Sequence, residues 1–320
     1  MIQPLFTVAV ITYNSGRWLQ QSIDSILSST YENFELIISD DCSSDNSWEL
    51  IEQYKDPRII AIRCASNIGE YPNRNKVLKQ AKGRYIMFID GDDILYRETL
   101  QEYSKLIIAF PNVPAIWGVY PLYFDFVVFP YLFTSYQLCA LNFLSNYPIT
   151  ATGFAESLFG VHELNKIGGF SEKFAIGDIY IKKKFCCFYD VLLIPAGKAF
   201  WRQHPGQASN RVRSFYRNLI ETFQIDKELL NSNLLSFSTE EIATSKRNFQ
   251  IRSIKLIVKN TLQKGKVNDF FKLMNKLLVP YKNLRFLVTK GKYNYKANSS
   301  GLNPLLNDYN LKKHGAPTNN

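Results

Sequence analysis

Tyr85-Ile86-Met87-Phe88-Ile89-Asp90-Gly91-Asp92-Asp93 sets five mostly apolar residues directly before three carboxylates grouped about one glycine. So short and continuous an apolar run predicts a strand buried on both faces, as in a parallel sheet covered by helices. Side chains alternate along a strand, which sends Asp90 and Asp92 to the same side where it ends. Gly91 between them lets a ligand approach the backbone. Two carboxylates aimed at one point repel unless a cation lies there, and hard oxygen ligands suit Mg²⁺ or Mn²⁺. In open α/β sheets the ligand crevice lies at the carboxyl ends of the strands, where this cluster falls. A solvated acidic turn after a core strand would carry the same residues, so the flanking sequence has to decide.

Upstream, Phe6 to Asn14 reads as the first buried strand. A helix is expected from Arg17 to Ser28 with Trp18, Leu19, Ile23, Ile26 and Leu27 on one face. Phe34 to Ser39 gives a second strand closing on Asp40-Asp41, and Asp45 reads as the N-cap of the next helix. Ile59 to Arg63 is the third strand; a helix over Asn73 to Lys82 then ends at Gly83, expected at the C′ position. Strands and helices alternating over short connections mean βαβ units, a parallel sheet and right-handed crossovers. No GxGxxG follows the first strand and no GxxxxGK[ST] occurs, so the glycine loops that cradle dinucleotides or NTP phosphates are absent. If this half binds phosphates, a metal at Asp92 is the candidate means.

Beyond Pro111 the pattern loosens into an aromatic-rich stretch, Ala115 to Phe133, a weakly amphipathic helix over Ser135 to Leu144, and strand and turn over Ile149 to Val161. A glycine turn at Gly168-Gly169 precedes a helix opening near Asp178. Past Arg213 the pattern is helical: Ser214 to Leu230, Glu240 to Leu262 with Ser238 and Glu241 as a capping box, and Val267 to Leu278.

The 320 residues carry a net charge of +10, unevenly placed. Residues 244–296 hold fourteen Lys and Arg against one acid, Asp269, which leaves residues 1–243 net acidic. A nucleic-acid enzyme would carry its positive charge around its site; here the site is acidic and the basic charge sits in an appendage, so no nucleic-acid partner is expected. Five cysteines without CxxC spacing argue for free thiols in a reducing compartment and against zinc. The N-terminus lacks a basic leader, Leu5 to Ile11 is too short for a signal peptide, and Asp125 and Pro130 interrupt the most apolar region. A cytoplasmic protein without a spanning helix is expected.

Thr12-Tyr13-Asn14, Asp40-Asp41-Cys42-Ser43-Ser44-Asp45, Asn67-Ile68-Gly69 with Arg74-Asn75, Asp90-Gly91-Asp92-Asp93, Gly168-Gly169-Phe170 leading to Asp178, and His204 follow one another in order. Together they resemble the inverting family-2 glycosyltransferases of the GT-A fold, over roughly residues 5–211. The resemblance implies an α/β, Rossmann-like, mostly parallel central sheet flanked by helices, with a helical C-terminal extension. On it, residues 1–212 form the catalytic domain, with a nucleotide-binding half over 1–114 and an acceptor-binding half over 115–212. Residues 213–296 form the basic helical extension and 297–320 a flexible tail.

The resemblance also assigns roles. Asp41 is implied to hold the uracil imide, a donor that a carboxylate accepts well. Thr12, Tyr13 and Asn14 line the base and ribose, Asn67 and Arg74 line the nucleotide pocket, Asp90 and Gly91 face the ribose, and Asp92 binds the metal directly, with His204 completing its shell. Asp178 is implied as the general base, since a sugar hydroxyl needs its proton removed as it attacks. Two departures stand out: Gly177 occurs where the family usually has Glu, and Tyr180 where another acid is usual. They keep open a non-catalytic nucleotide-sugar-binding protein of the same fold. The expected activity is metal-dependent transfer of a sugar, from a UDP-sugar, to a saccharide or lipid-linked acceptor in cell-surface polysaccharide synthesis. The basic helices fit peripheral contact with the inner face of the cytoplasmic membrane, or a homodimer contact.

Overall fold

A computed structural model describes residues 5–119, 129–144, 153–205, 207 and 215–276. The chain divides into two compact units, Met1–Lys246 and Arg247–Asn320. In the first, β1 (Phe6–Thr12), β2 (Phe34–Asp40), β3 (Ile59–Arg63) and β4 (Tyr85–Asp90) alternate with α1 (Gly16–Leu27), α2 (Ser47–Gln53) and α3 (Glu70–Leu78). Then come β5 (Ile94–Leu95), α4 (Thr99–Ala109), β6 (Ala115–Val119), β7 (Tyr131–Phe133) and α5 (Ser135–Cys139), which runs on as one π-helical turn to Leu144. β8 (Ser157–Gly160), α6 (Val161–Lys166), α7 (Gly177–Cys186), β9 (Val191–Pro195) and β10 (Ala199–Phe200) follow, and then the helix α8 (Phe215–Asn231).

Eight strands form one sheet in the order β3-β2-β1-β4-β8-β6-β9-β7. β3, β2, β1 and β4 are mutually parallel, β8 is antiparallel to both β4 and β6, and β6 pairs parallel with β9. The chain steps outward from β1 through β2 to β3, then crosses back to set β4 on the other side of β1. Strand order therefore reverses between β1 and β4, and an open α/β sheet places its ligand crevice at such a reversal, beyond the carboxyl ends. Right-handed crossovers put α3 on the opposite face from α1 and α2. The core agrees: Val8, Val10, Met87 and Ile89 pack with Leu19, Ile23 and Ile26 of α1 and Tyr103 of α4 on one face. The alternate residues Phe88 and Asp90 face α3, where the Arg74 guanidinium lies 5.4 Å from the Phe88 ring.

Several local expectations change. The helix expected from Asn73 starts at Glu70, because Pro72 lies in its first turn, where a missing N–H costs nothing. It ends at Leu78, so Gly83 is not its C′ residue. Gly83 instead lets β1 pass close by: a Cβ there would lie 2.4 Å from the Thr7 amide nitrogen. Asp45 is not an N-cap; its two oxygens accept from the Ser47 and Gly16 amides and tie α2 to α1. Trp18 stands off the buried face of α1, flanked by the guanidinium groups of Arg17 and Arg202 at 4.4 and 4.3 Å. The capping box of Ser238 and Glu241 forms, opening a helix over Thr239–Asn260.

In the second unit a short turn at Leu262–Lys264 ends on Gly265 in the left-handed region, and the helix Val267–Lys276 buries Phe270, Leu273 and Met274. Among the described residues no helix is long and apolar enough to cross a membrane. All five cysteines are free thiols. The expectations for residues 297–320 and for residues 120–128 and 145–152 lie outside the described residues.

Candidate active site

β1 and β4 end side by side, with Ile11 opposite Asp90 and the Gly91 amide donating to the Ile11 carbonyl at 3.0 Å. A Cβ on Gly91 would lie 2.8 Å from Thr12 Oγ1 and 3.2 Å from Ser15 Cβ. Glycine is thus needed here because the chain's own loop after β1 fills that space. The turn that follows brings one carboxylate oxygen each of Asp90, Asp92 and Asp93 within 4.8 Å of one another. Burial and the Asp90 charge push both Asp92 and Asp93 above the usual carboxylate range, Asp93 up to about 8. Such a cluster is costly without positive charge beside it.

His204 comes from 112 residues away, and a two-stranded ribbon delivers it. β10 pairs antiparallel with β5, immediately after the acidic turn. Arg202 then fastens the chain: its amide donates to Asp93 Oδ1 at 3.0 Å, its Nε to the Asp92 carbonyl at 2.8 Å, and its Nη2 to Gln21 at 2.8 Å. Two residues on, His204 Nε2 lies 2.8 Å from Asp92 Oδ2, with the Trp18 ring 5.8 Å from its own. The sequence marked neither Arg202 nor Trp18 for the site: Trp18 read as part of a buried helix face, and an arginine near a histidine carries no signal.

On the side of β1 and β2, Asp41 is buried, its oxygens accepting from the Ile68 and Gly69 amides at 2.8 Å each. It fixes the turn after Asn67, whose own side chain is exposed. Asn14 takes the left-handed conformation that asparagine tolerates, and its Oδ1 accepts from the Ser44 amide at 2.8 Å. Tyr13 is 41% exposed and Thr12 is buried with Oγ1 lacking a hydrogen-bond partner. Arg74 is buried, donating to Asp90 at 2.6 Å and to Glu70 at 3.0 Å, while its Nη1 has no partner. The Asp90 side chain is 51% exposed. Removing Asp90 would leave the buried Arg74 guanidinium short of a partner, a loss between the roughly 0–1 kcal/mol of a surface pair and the about 3–5 kcal/mol of orphaning a buried charge. Substitution of Asp90 would therefore mix stability with function, whereas Asp92 lacks that pairing.

Asp178 stands in the first turn of α7. Gly177 before it has no room for a side chain: a Cβ would lie 2.8–2.9 Å from the ring carbons of Tyr71. Tyr180 turns elsewhere and donates to Glu228 of α8 at 3.1 Å. That helix also fixes the start of α7, since the Ile176 amide donates to Glu221 at 3.1 Å. α8, the first helix of the expected extension, thus braces the segment carrying Asp178.

The raised carboxylates give a pH prediction. A carboxyl whose folded-state pKa lies above its unfolded value stabilises fully below the unfolded pKa and less as pH rises toward the folded one. Without divalent ions, the melting temperature should fall from about pH 4 to about pH 8 as Asp93 is forced to ionise. Mn²⁺ should raise it more at the top of that range than at the bottom, which differential scanning fluorimetry with EDTA as control checks.

Comparison with known proteins follows the same lines. The family described as Glycosyl transferase family 2 matches residues 7–129. An 89-residue stretch, 28% of this chain, is 44% identical to the Escherichia coli UDP-Glc:alpha-D-GlcNAc-diphosphoundecaprenol beta-1,3-glucosyltransferase WfaP and spans 36% of that protein. A 108-residue stretch, 33% of this chain, is 34% identical to the putative teichuronic acid biosynthesis glycosyltransferase TuaG of Bacillus subtilis and spans 43% of it. The chain thus spans less than half the length of these curated relatives. In fold it resembles Staphylococcus aureus TarS residues 1–349, solved with UDP-GlcNAc, with a TM-score of 0.59, 19% identity, and coverage of 88% of this chain and 83% of that one. It also resembles the mannosyltransferase PcManGT of Pyrobaculum calidifontis, solved with GDP-Man and Mn²⁺, with a TM-score of 0.59, 16% identity, and coverage of 90% and 80%.

Proposed function

We propose that this chain, which belongs to glycosyl transferase family 2 through residues 7–129, transfers a sugar from a UDP-sugar to an acceptor hydroxyl with inversion at the anomeric carbon. One observation carries the reading: three carboxylates and an imidazole converge at the strand-order reversal between β1 and β4. The donor set fits a hard divalent ion, with Asp92 and His204 as ligands and Asp90 and Asp93 beside them. The raised protonation of Asp92 and Asp93 and the unpartnered Thr12 Oγ1 are what an ion and its nucleotide would relieve. Bound there, Mg²⁺ or Mn²⁺ would supply positive charge against the departing diphosphate.

The chain's own residues do the rest. Asp41, fixed by two amides, keeps a lone pair on each oxygen for the imide N–H of uracil. Thr12, Tyr13 and Asn14 wall the base and ribose, next to Asn67 and the Gly91 backbone. Arg74 holds Asp90 where it can accept from a ribose hydroxyl. Asp178 removes the acceptor proton as the oxygen attacks opposite the diphosphate, and that single displacement inverts the centre. The WfaP and TuaG names support a cell-surface polysaccharide as the product and a lipid-linked saccharide as acceptor.

The test is a panel of UDP- and GDP-sugars assayed for Mn²⁺-dependent thermal stabilisation. A ligand at 100 times its Kd adds about 2.7 kcal/mol, a shift of several degrees. Stabilisation by UDP-sugars only when Mn²⁺ is present is expected; none with any nucleotide sugar, with or without metal, would remove the reading. Exposed Leu262 and Val267 among the basic residues of 244–296 support contact with an anionic membrane. Each basic residue near such a surface is worth about 1 kcal/mol. Co-sedimentation with phosphatidylglycerol vesicles should drop at least about tenfold in the Lys259→Glu/Lys272→Glu variant; equal sedimentation, or a loss of dimer instead, would point to a second copy of the chain.

A further inference from the structure

We infer that Tyr71 is the positioning residue for Asp178: its ring occupies the space of a side chain at 177 and its hydroxyl pins the turn that presents the carboxylate. The inference rests on the reading of Asp178 as the base.

The first amides of a helix have no partners within it, and α7 has no capping side chain. Ile176 N–H is taken by Glu221, but the Asp178 N–H needs another acceptor. It finds the Tyr71 hydroxyl at 3.4 Å. That hydroxyl has one proton to give and two acceptors in reach: the Ala175 carbonyl at 3.1 Å and Asp178 Oδ1 at 3.5 Å. A single oxygen thus ties residue 175, the Asp178 backbone and the Asp178 carboxylate together across Ile176 and Gly177. The ring is held in turn, stacked on Phe170 at 6.0 Å with 18° between planes. A side chain at 177 and the Tyr71 ring exclude each other, which explains why glycine stands there.

Tyr71 and Arg74 lie one turn apart on α3. Through Arg74 the helix holds Asp90 of the donor side, and through Tyr71 it holds Asp178. Both are thereby referenced to one rigid element. Fixing reacting groups in this way is how a protein lowers the entropic part of a barrier.

Tyr71→Phe tests this, because it keeps the ring and removes only the hydroxyl. The probe is UDP release from UDP-glucose or UDP-N-acetylglucosamine with Mn²⁺. We expect kcat to fall about tenfold with KM for the donor unchanged within about twofold, and little change in melting temperature. The groups facing Asp178 are Tyr71 and Glu70 from α3 and Lys182 one turn along α7. A tyrosine that only fills space would leave kcat unchanged, because the ring is kept.

Asp178→Asn serves as control. If it stays active, the base reading fails whatever Tyr71→Phe does. If it is inactive while Tyr71→Phe keeps the wild-type kcat, the positioning role falls and the base stands.

Discussion

Asp92→Ala should lower sugar transfer about a thousandfold and abolish the Mn²⁺-dependent thermal shift. Asp92 is the carboxylate that both the sequence and the tertiary fold single out. It follows β4 within the acidic turn, and His204 Nε2 meets it at 2.8 Å. Asp90 is paired with the Arg74 guanidinium, whereas Asp92 meets the His204 imidazole. Removing it therefore strips the site of a ligand without orphaning a buried guanidinium. It also relieves repulsion, so the metal-free variant should melt no lower than the metal-free wild type. That combination, lost activity with retained stability, separates a functional carboxylate from a structural one. A variant that transfers sugar within about tenfold of wild type would leave the acidic turn as a solvated surface feature.

The second large effect belongs to Asp178. Asp178→Asn keeps the shape and removes the basicity, so kcat should fall by about a hundredfold to ten-thousandfold while UDP and Mn²⁺ bind as before. Calorimetric titration of UDP with Mn²⁺ checks the binding, and the anomeric proton of the product, read by NMR, checks inversion. Loss of UDP binding together with turnover would mean that residue 178 helps shape the pocket and that another group takes the proton. The absence of an acid at 177 and 180 does not weaken this expectation. The Tyr71 ring fills the first position, and Tyr180 is engaged with Glu228 on α8.

The two expectations separate the halves of the reaction. One concerns charge at the leaving diphosphate and the other the proton of the incoming hydroxyl. Both depend on segments that arrive late in the chain, the first through β10 and Arg202 and the second through α7 and its brace on α8.

Sequence alone determined the parallel half-sheet and the place of its acidic turn. A short apolar run such as Tyr85 to Ile89, set among alternating strand and helix patterns, reads as a central strand buried on both faces, and strand ends in such sheets are where ligands bind. Local pattern also disclosed the three C-terminal helices and the Ser238–Glu241 capping box, since periodicity and caps are properties of neighbouring residues. What lies between distant residues was decided by the tertiary structure. His204 reaches Asp92 across 112 residues because a two-residue ribbon turns the chain there, and no local pattern encodes that pairing. Gly177 looked like a missing acid until the Tyr71 ring was found in its place, 2.8 Å from where a Cβ would be. Periodicity fixes which face of an element is buried; which residue meets it from another element is a matter of packing, and that is settled only when the whole chain has folded.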